Sequence, residues 1–521
     1  MKQPELLYPI GQQDFRKIRE EGKIYVDKTA IIYDLVKKYS YIFLSRPRRF
    51  GKSLLLSTIK SYFEGEKELF KGLAVYDLEK EWRRHPVLHL MLSSSNPGDH
   101  DSLKTILDQQ FRDWENKYEV RDPLGDLSAR FRDIIYYAEK KTGEKVVILI
   151  DEYDNALVNT IHRDEVHEKN RELLKSIYSN LKDMDAYIRF GMLTGVSRFS
   201  RAGIFSGLNN LSDITFVEKY STICGFSEEE IRKYLWRGVE EIGKKYDTDA
   251  DGAMQLLKAN YDGYHFSQEL IDVYNPFSLL NALAFKSIEN YWIHSGTPEF
   301  LIKALQESHE PLSEIFNSEA DSMSLQSNDA VFESPVALLY QTGYLTIKGY
   351  DRAFNAYQLG VPNKEVREGF FSVLWTKLTG RDRLKSMRKL RGLQELLESG
   401  DAEGFMEGLR SFMAGIPYHL TSKAPEVYFE NNLFVIFQLM GVDVRAEDET
   451  SWGRIDLTVK TDKYIYIIEI KVDKPAEEAL RQIEKKDYAL KYKLENKKVV
   501  CIGATFDSHT RNLEQFLIHR L

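Results

Sequence analysis

Cysteine is nearly absent from these 521 residues: Cys224 and Cys501 stand singly and far apart, which excludes a disulfide framework and a cysteine zinc site. Long apolar runs are missing as well. The longest aliphatic run, Val146 to Ile150, is far short of the ~20 residues a bilayer-spanning helix needs, so no membrane span or membrane partner is expected. The start, Met1-Lys2-Gln3-Pro4-Glu5, carries acid and proline where a secretory leader has an apolar core, and cytoplasmic residence is the expectation. Positive charge is not in excess either. A formal net charge of −8 excludes non-specific attraction to nucleic acid over the whole surface and confines any such contact to a local patch. Arg481 to Lys498 is one candidate, with seven basic residues against three acidic ones, although a solvated helix face accounts for it equally well. Repeats and low-complexity tracts are lacking too, so distinct modules in series must build the architecture.

What is present is a globular balance, 29% charged and 43% hydrophobic residues, in a chain long enough for about three or four folding units. Tyr41 to Ser45 reads as a strand, followed by a basic loop and an apolar helix from Ser53 to Phe63. A second buried strand, Val146 to Ile150, ends in Asp151-Glu152-Tyr153-Asp154, and a third, Tyr187 to Leu193, ends in Thr194-Gly195. Strands alternating with helices predict an α/β fold on a parallel sheet over residues 1–225. A helical lid (226–300) follows, opened by a capping box at Ser227 and Glu230. Residues 301–417 read as a mostly helical middle region, interrupted by a short strand pair around Gly343 to Ile347 and Ala356 to Leu359. Residues 418–521 form a small mixed α/β unit. Its elements are helix Pro425 to Met440, strands Val442 to Glu447, Gly453 to Lys460 and Tyr464 to Val472, helix Ala476 to Leu490 and strand Lys498 to Gly503.

Two constellations carry chemistry. Arg46-Pro47-Arg48-Arg49-Phe50-Gly51-Lys52-Ser53 lies between a strand and a helix, where a phosphate-binding loop aims backbone N–H groups and a helix N-terminus at an anion. Lys52 would reach the β- and γ-phosphates of ATP, and the Ser53 hydroxyl would ligate Mg²⁺. Arg46 stands where the general pattern has its first glycine. Downstream, Asp151 would hold the Mg²⁺ water network and Glu152 would polarise the attacking water. Thr194 would sense the γ-phosphate, while Arg198 or Arg201 would supply transition-state charge, a plain salt bridge being the rival reading for both arginines.

The second constellation is Gly453-Arg454-Ile455-Asp456-Leu457 followed by Tyr464 to Val472, in which the strand period puts Glu469 and Lys471 on one face. An apolar strand gains nothing from two charges there unless they share a polar site. Asp456 and Glu469 would bind Mg²⁺ or Mn²⁺ as hard oxygen ligands, and Lys471 would orient or activate water for attack on a phosphodiester. Glu430 would add a carboxylate from the preceding helix, and Gln482 would position substrate or water from the following one.

These residues match a known pattern. Tyr25-Val26-Asp27-Lys28-Thr29, the Ser45 to Ser53 loop, Ile150 to Asp154, Tyr261-Asp262-Gly263-Tyr264, Tyr274 to Ser278 and Gln341 to Leu345 resemble the AAA-ATPase-like family of bacterial and archaeal proteins. The C-terminal segment resembles the PD-(D/E)XK nuclease superfamily domain that commonly follows it. The resemblance implies a P-loop NTPase core with a helical lid, then a restriction-endonuclease-like domain whose motif positions are Glu430, Asp456, Glu469 and Lys471. The arginine-rich loop is usual in that family, and Ile455 replaces the proline that names the superfamily. An ATP-driven or ATP-gated nuclease acting on DNA or RNA is the leading expectation, in either a single chain or an oligomer. The alternative is a nucleotide-dependent signalling or binding protein that grips nucleic acid or a partner without cutting.

Overall fold

The computed structural model describes residues 6–92, 100–121, 125–160, 163–197, 210–294, 299–308, 310–326, 335–379, 383–414, 425–450 and 453–521. They form two compact units: one holds the chain to Trp292 and most of Glu319 to Asn363, the other Ile293–Ser318 and Lys364–Leu521. The expected middle region is thus shared between the two. Among the described residues no helix is long and apolar enough to cross a membrane.

In the first unit β1 (Tyr41–Ser45), β2 (Val87–Met91), β3 (Val146–Asp151), β4 (Ile188–Gly195) and β5 (Ser212–Asp213) make one parallel sheet in the order β2-β3-β4-β1-β5. β1 and β3 are buried along their whole length, as sheets covered on both faces require, which is why each reads as an uninterrupted apolar run. β2 is an addition to the sequence reading: it is an edge strand, and its Met91 is exposed. The order matters for function, because β4 lies between β1 and β3 and its C-terminal end falls between the tips of both.

Helix Glu228–Tyr234 begins with the capping box its sequence indicates. Ser227 accepts from the Glu230 N–H at 3.3 Å, and Glu230 accepts from the Ser227 N–H at 2.9 Å. Glu230 also takes the buried Lys28 ammonium at 2.5 Å, tying the N-terminal segment to this helix. Asp27 prepares that contact by accepting from the Thr29 N–H at 2.8 Å and the Ala74 N–H at 2.8 Å. Further on, β6 (Glu319–Ala320), β7 (Thr346–Asp351) and β8 (Ala356–Gly360) form a three-stranded sheet in the order β6-β8-β7.

The second unit carries helix Pro425–Met440 and a five-stranded sheet of β9 (Asp443–Thr450), β10 (Gly453–Lys460), β11 (Tyr464–Val472), β12 (Lys498–Asp507) and β13 (Asn512–Arg520). Only β11 and β12 run parallel, joined through helix Ala476–Lys485, whose Ala476, Ala479 and Ile483 are buried. That helix ends five residues before the expected Leu490, in a turn around Asp487 (φ 42°) that leads into a 3-10 helix, Tyr488–Tyr492. The chain is α/β overall.

Candidate active sites

The loop after β1 turns into helix Lys52–Phe63 through Gly51, whose φ of 92° lies in the left-handed region; no neighbour crowds a Cβ there, so conformation alone demands glycine. Arg49 also adopts a left-handed φ of 68°. The loop is backed from behind by residues of the same unit. Phe50 packs edge-on against Tyr264 at 4.8 Å, Arg49 lies over the Phe277 ring at 4.9 Å, and the Trp292 indole donates to the Arg48 carbonyl at 3.2 Å. Gly343 has to be glycine, since a Cβ there would stand 2.7 Å from Pro47. The Tyr-Asp-Gly-Tyr, Asn-Pro-Phe and Gln-Thr-Gly-Tyr segments therefore converge on the back of the loop.

Arg46 points inward. Its guanidinium donates to the carbonyls of Ser45 (2.8 Å), Thr215 (2.9 Å) and Tyr220 (3.1 Å) and lies 4.1 Å from the Phe266 ring. Its side chain joins the loop to the segment after β5. Arg48 and Arg49 are exposed, and Pro47 and Phe50 are buried.

Lys52 is buried and donates to the Arg46 and Pro47 carbonyls at 2.8 and 2.9 Å. Burial pushes its ammonium down, opposed by the charges of Asp151, Glu152 and Asp154. The tips of β1 and β3 are thus brought together as one site. Ser53 follows in the first helical turn, partly exposed. At the β3 tip, Asp151 accepts the Thr194 hydroxyl at 2.8 Å. Glu152 sits at a left-handed φ of 53°, a strained state for a non-glycine residue, and burial raises its carboxyl while Lys52 lowers it. Asp154, which sequence reasoning left without a role, is buried and accepts from the Val196 N–H (3.0 Å), the Ser197 N–H (2.6 Å) and the Ser197 hydroxyl (2.6 Å). It locks the end of β4 against the end of β3. Its motif position next to Asp151-Glu152 was the available signal. Arg198 and Arg201 lie outside the described residues.

In the second unit, Glu469 is fully buried and accepts from the Lys471 ammonium at 3.1 Å and from the Gln482 amide. Among the described residues its Oε2 has no hydrogen-bond partner. Asp456, on neighbouring β10, accepts the Ile470 N–H at 2.6 Å. Burial and then the Asp456 charge push the Glu469 carboxyl up to about 7, against the pull of Lys471. Gln482 reaches Glu469 because Gly503, paired with Glu469 in the β11–β12 ladder, lets the helix lie close: a Cβ at 503 would stand 2.6 Å from the Ala476 carbonyl oxygen.

Glu430 is half-buried and accepts the Ser313 hydroxyl, a partner no sequence signal indicated. Among the described residues no three His, Cys, Asp or Glu side chains converge as a group that would hold a metal ion. Asp456 and Glu469 are a pair. The pair suits a hard divalent cation nonetheless: two adjacent carboxylates, one with an orphaned buried oxygen, need a positive charge to stay ionised together.

A parallel sheet with a phosphate-type loop beside an Asp-Glu strand tip, followed by a mixed sheet bearing an Asp…Glu-x-Lys set, defines a P-loop NTPase-like protein with a nuclease-like domain. Family models agree: residues 9–205 match "Predicted AAA-ATPase" and residues 424–516 match "PD-(D/E)XK nuclease superfamily". The chain is 35% identical over 525 residues to the "Uncharacterized protein in vnfD 5'region" of Azotobacter chroococcum mcd 1, covering 98% of this chain and 99% of that protein. The chain belongs to this AAA-ATPase-like family with a C-terminal PD-(D/E)XK nuclease superfamily domain.

Proposed function

We propose that the first unit binds and hydrolyses ATP and that the second hydrolyses DNA or RNA phosphodiesters with Mg²⁺ or Mn²⁺, in a cytoplasmic protein whose nucleotide state governs cutting. The observation that carries the second half is Glu469: a buried carboxylate with one free oxygen, flanked by Asp456, Lys471 and Gln482.

At the first site the backbone N–H groups at the start of helix Lys52–Phe63 and the Lys52 ammonium receive the phosphates. Ser53 and Asp151 hold Mg²⁺, which supplies charge neutralisation on the nucleotide. Thr194 fixes the Asp151 carboxylate through its hydroxyl. Glu152, whose carboxyl is raised by burial against the pull of Lys52, takes a proton from the attacking water. At the second site Asp456 and Glu469 hold the cation, which supplies Lewis-acid chemistry when bound. Lys471 orients the attacking water while Gln482 keeps Glu469 in place.

The test is metal-dependent cleavage of single- and double-stranded DNA and RNA, with and without ATP, against Glu469→Ala, alongside ATP turnover in Lys52→Ala and Glu152→Gln. Cleavage that is absent under every nucleotide condition overturns the nuclease half. Equal ATP turnover in all three proteins overturns the ATPase half. A second reading, nucleic-acid binding without cutting, draws on the engagement of Glu430 by Ser313. In that case Lys471→Ala weakens binding and there is no cleavage to lose.

A further inference from the structure

Glu430 and Ser313 meet from distant parts of the chain, and Ser313 lies outside the matched nuclease region. The short helix Leu312–Phe316 is seated firmly on helix Pro425–Met440. The Leu312 N–H donates to the Asn431 side chain at 2.7 Å, and Phe316 packs against Phe371 at 5.0 Å and Phe434 at 6.2 Å. Ser313 is itself buried, so its hydroxyl is committed to this contact by packing as well as by hydrogen bonding.

The same short helix is two residues from the first unit in sequence. After Asn317 and Ser318 the chain enters β6, which pairs with β8 (Glu319 with Gln358, Ala320 with Tyr357), and β8 pairs with β7. β7 starts three residues after Gly343, the residue pressed against Pro47 of the phosphate loop, and its Thr346 hydroxyl accepts the N–H of His265 in the lid at 2.8 Å. A close approach of Gly343 to Pro47, followed by covalent and strand-pairing links, therefore runs from the loop to Ser313.

We propose that Ser313 is a positioning residue for the nuclease-like site: it holds Glu430 away from the Asp456–Glu469 pair until nucleotide binding at the loop, transmitted through β7, β8 and β6, withdraws it. The inference rests on the reading of both sites given above and adds the residue and the route through which the first acts on the second. A hydrogen bond to a charged group shifts a two-state balance by about tenfold or more, enough for a switch.

The experiment uses the full chain, Ser313→Ala and Ser313→Thr, with two measurements. In the first, cleavage with Mn²⁺ is compared with and without ATP. Ser313→Ala is expected to raise nucleotide-free cleavage about tenfold and bring the ratio of the two rates close to one, while Ser313→Thr, which keeps the hydroxyl, retains the wild-type ratio. In the second, amide hydrogen exchange is followed at residues 46–53, 312–316 and 427–432 as ATP is added. Protection at 46–53 accompanied by faster exchange at 312–316 in the wild type, and without change at 427–432 in Ser313→Ala, supports the link even in a protein that cuts nothing, a result that would sink the nuclease reading alone. Protection at 46–53 with no response at 312–316 overturns the link and leaves both site readings standing. No protection at 46–53 overturns the link together with the nucleotide reading.

Discussion

The Thr194 hydroxyl donates to Asp151 Oδ1 at 2.8 Å across the adjacent tips of β4 and β3. Both groups are buried, so the bond fixes one carboxylate oxygen of Asp151. Thr194→Val keeps the shape of the side chain and removes the donor. It is expected to lower kcat for ATP by about 10- to 100-fold with little change in KM, because the lost contact orients charge in the transition state more than it binds substrate. Steady-state ATPase assays decide it, and a rise in KM at unchanged kcat would contradict the assignment.

Arg46 replaces the first glycine of the general phosphate loop, and its inward guanidinium explains why the exchange is tolerated: three backbone carbonyls are satisfied by one side chain. Restoring the general pattern with Arg46→Gly should therefore weaken this protein. The expected loss is on the order of 3 kcal/mol from a vacated core volume and unpaired carbonyls, seen as an earlier urea transition of the first unit. A variant as stable as the wild type would show that those carbonyls find other partners at no cost.

How much of this was legible in sequence depended on how local the cause was. Helix Pro425–Met440 and strands Gly453–Lys460 and Tyr464–Val472 have the bounds their own residues suggest, because turn chemistry stops each of them. β13 carries no sequence signal: among Asn512–Arg520 only Leu513 is buried, so this edge strand offers no apolar run. The inward turn of Arg46 and the clamp from Asp154 to Ser197 were hidden for another reason. Their partners lie 169 and 174 residues away for Arg46 and 43 residues away for Asp154, and no local period reports them. The same holds for Ser313 and Glu430, separated by 117 residues.

Gly503 tests how the second site is assembled. A Cβ there would stand 2.6 Å from the Ala476 oxygen and 2.7 Å from the Leu480 nitrogen, both backbone atoms that yield only if the helix moves. Gly503→Ala is expected to cost about 1–3 kcal/mol through overpacking and to draw Gln482 away from Glu469. Cleavage should then fall further than in Gln482→Ala alone. Equal activity in the two variants would mean that the helix shift does not reach Glu469.

Glu79 sets an acid limb for the first unit. Its carboxylate accepts the Tyr62 hydroxyl at 2.5 Å, the Lys80 and Glu81 N–H groups at 2.9 Å each, and lies 3.0 Å from the Lys37 ammonium. Burial by itself would raise the carboxyl, but the Tyr62, Glu81 and Lys37 contacts outweigh it and hold the group at about 2 against an ordinary 4.5. The unfolded chain therefore binds the proton more readily than the folded one between these values. Stability from the ionised form is fully present above the unfolded value and is lost as pH falls toward the folded one. Glu79→Gln removes that dependence: the variant is expected to be less stable than the wild type at neutral pH, with the gap closing as pH falls below about 4.5. Urea midpoints of the first unit measured from neutral pH down to about pH 3 give the comparison, and a gap that stays constant over that window would assign the acid limb to other carboxylates.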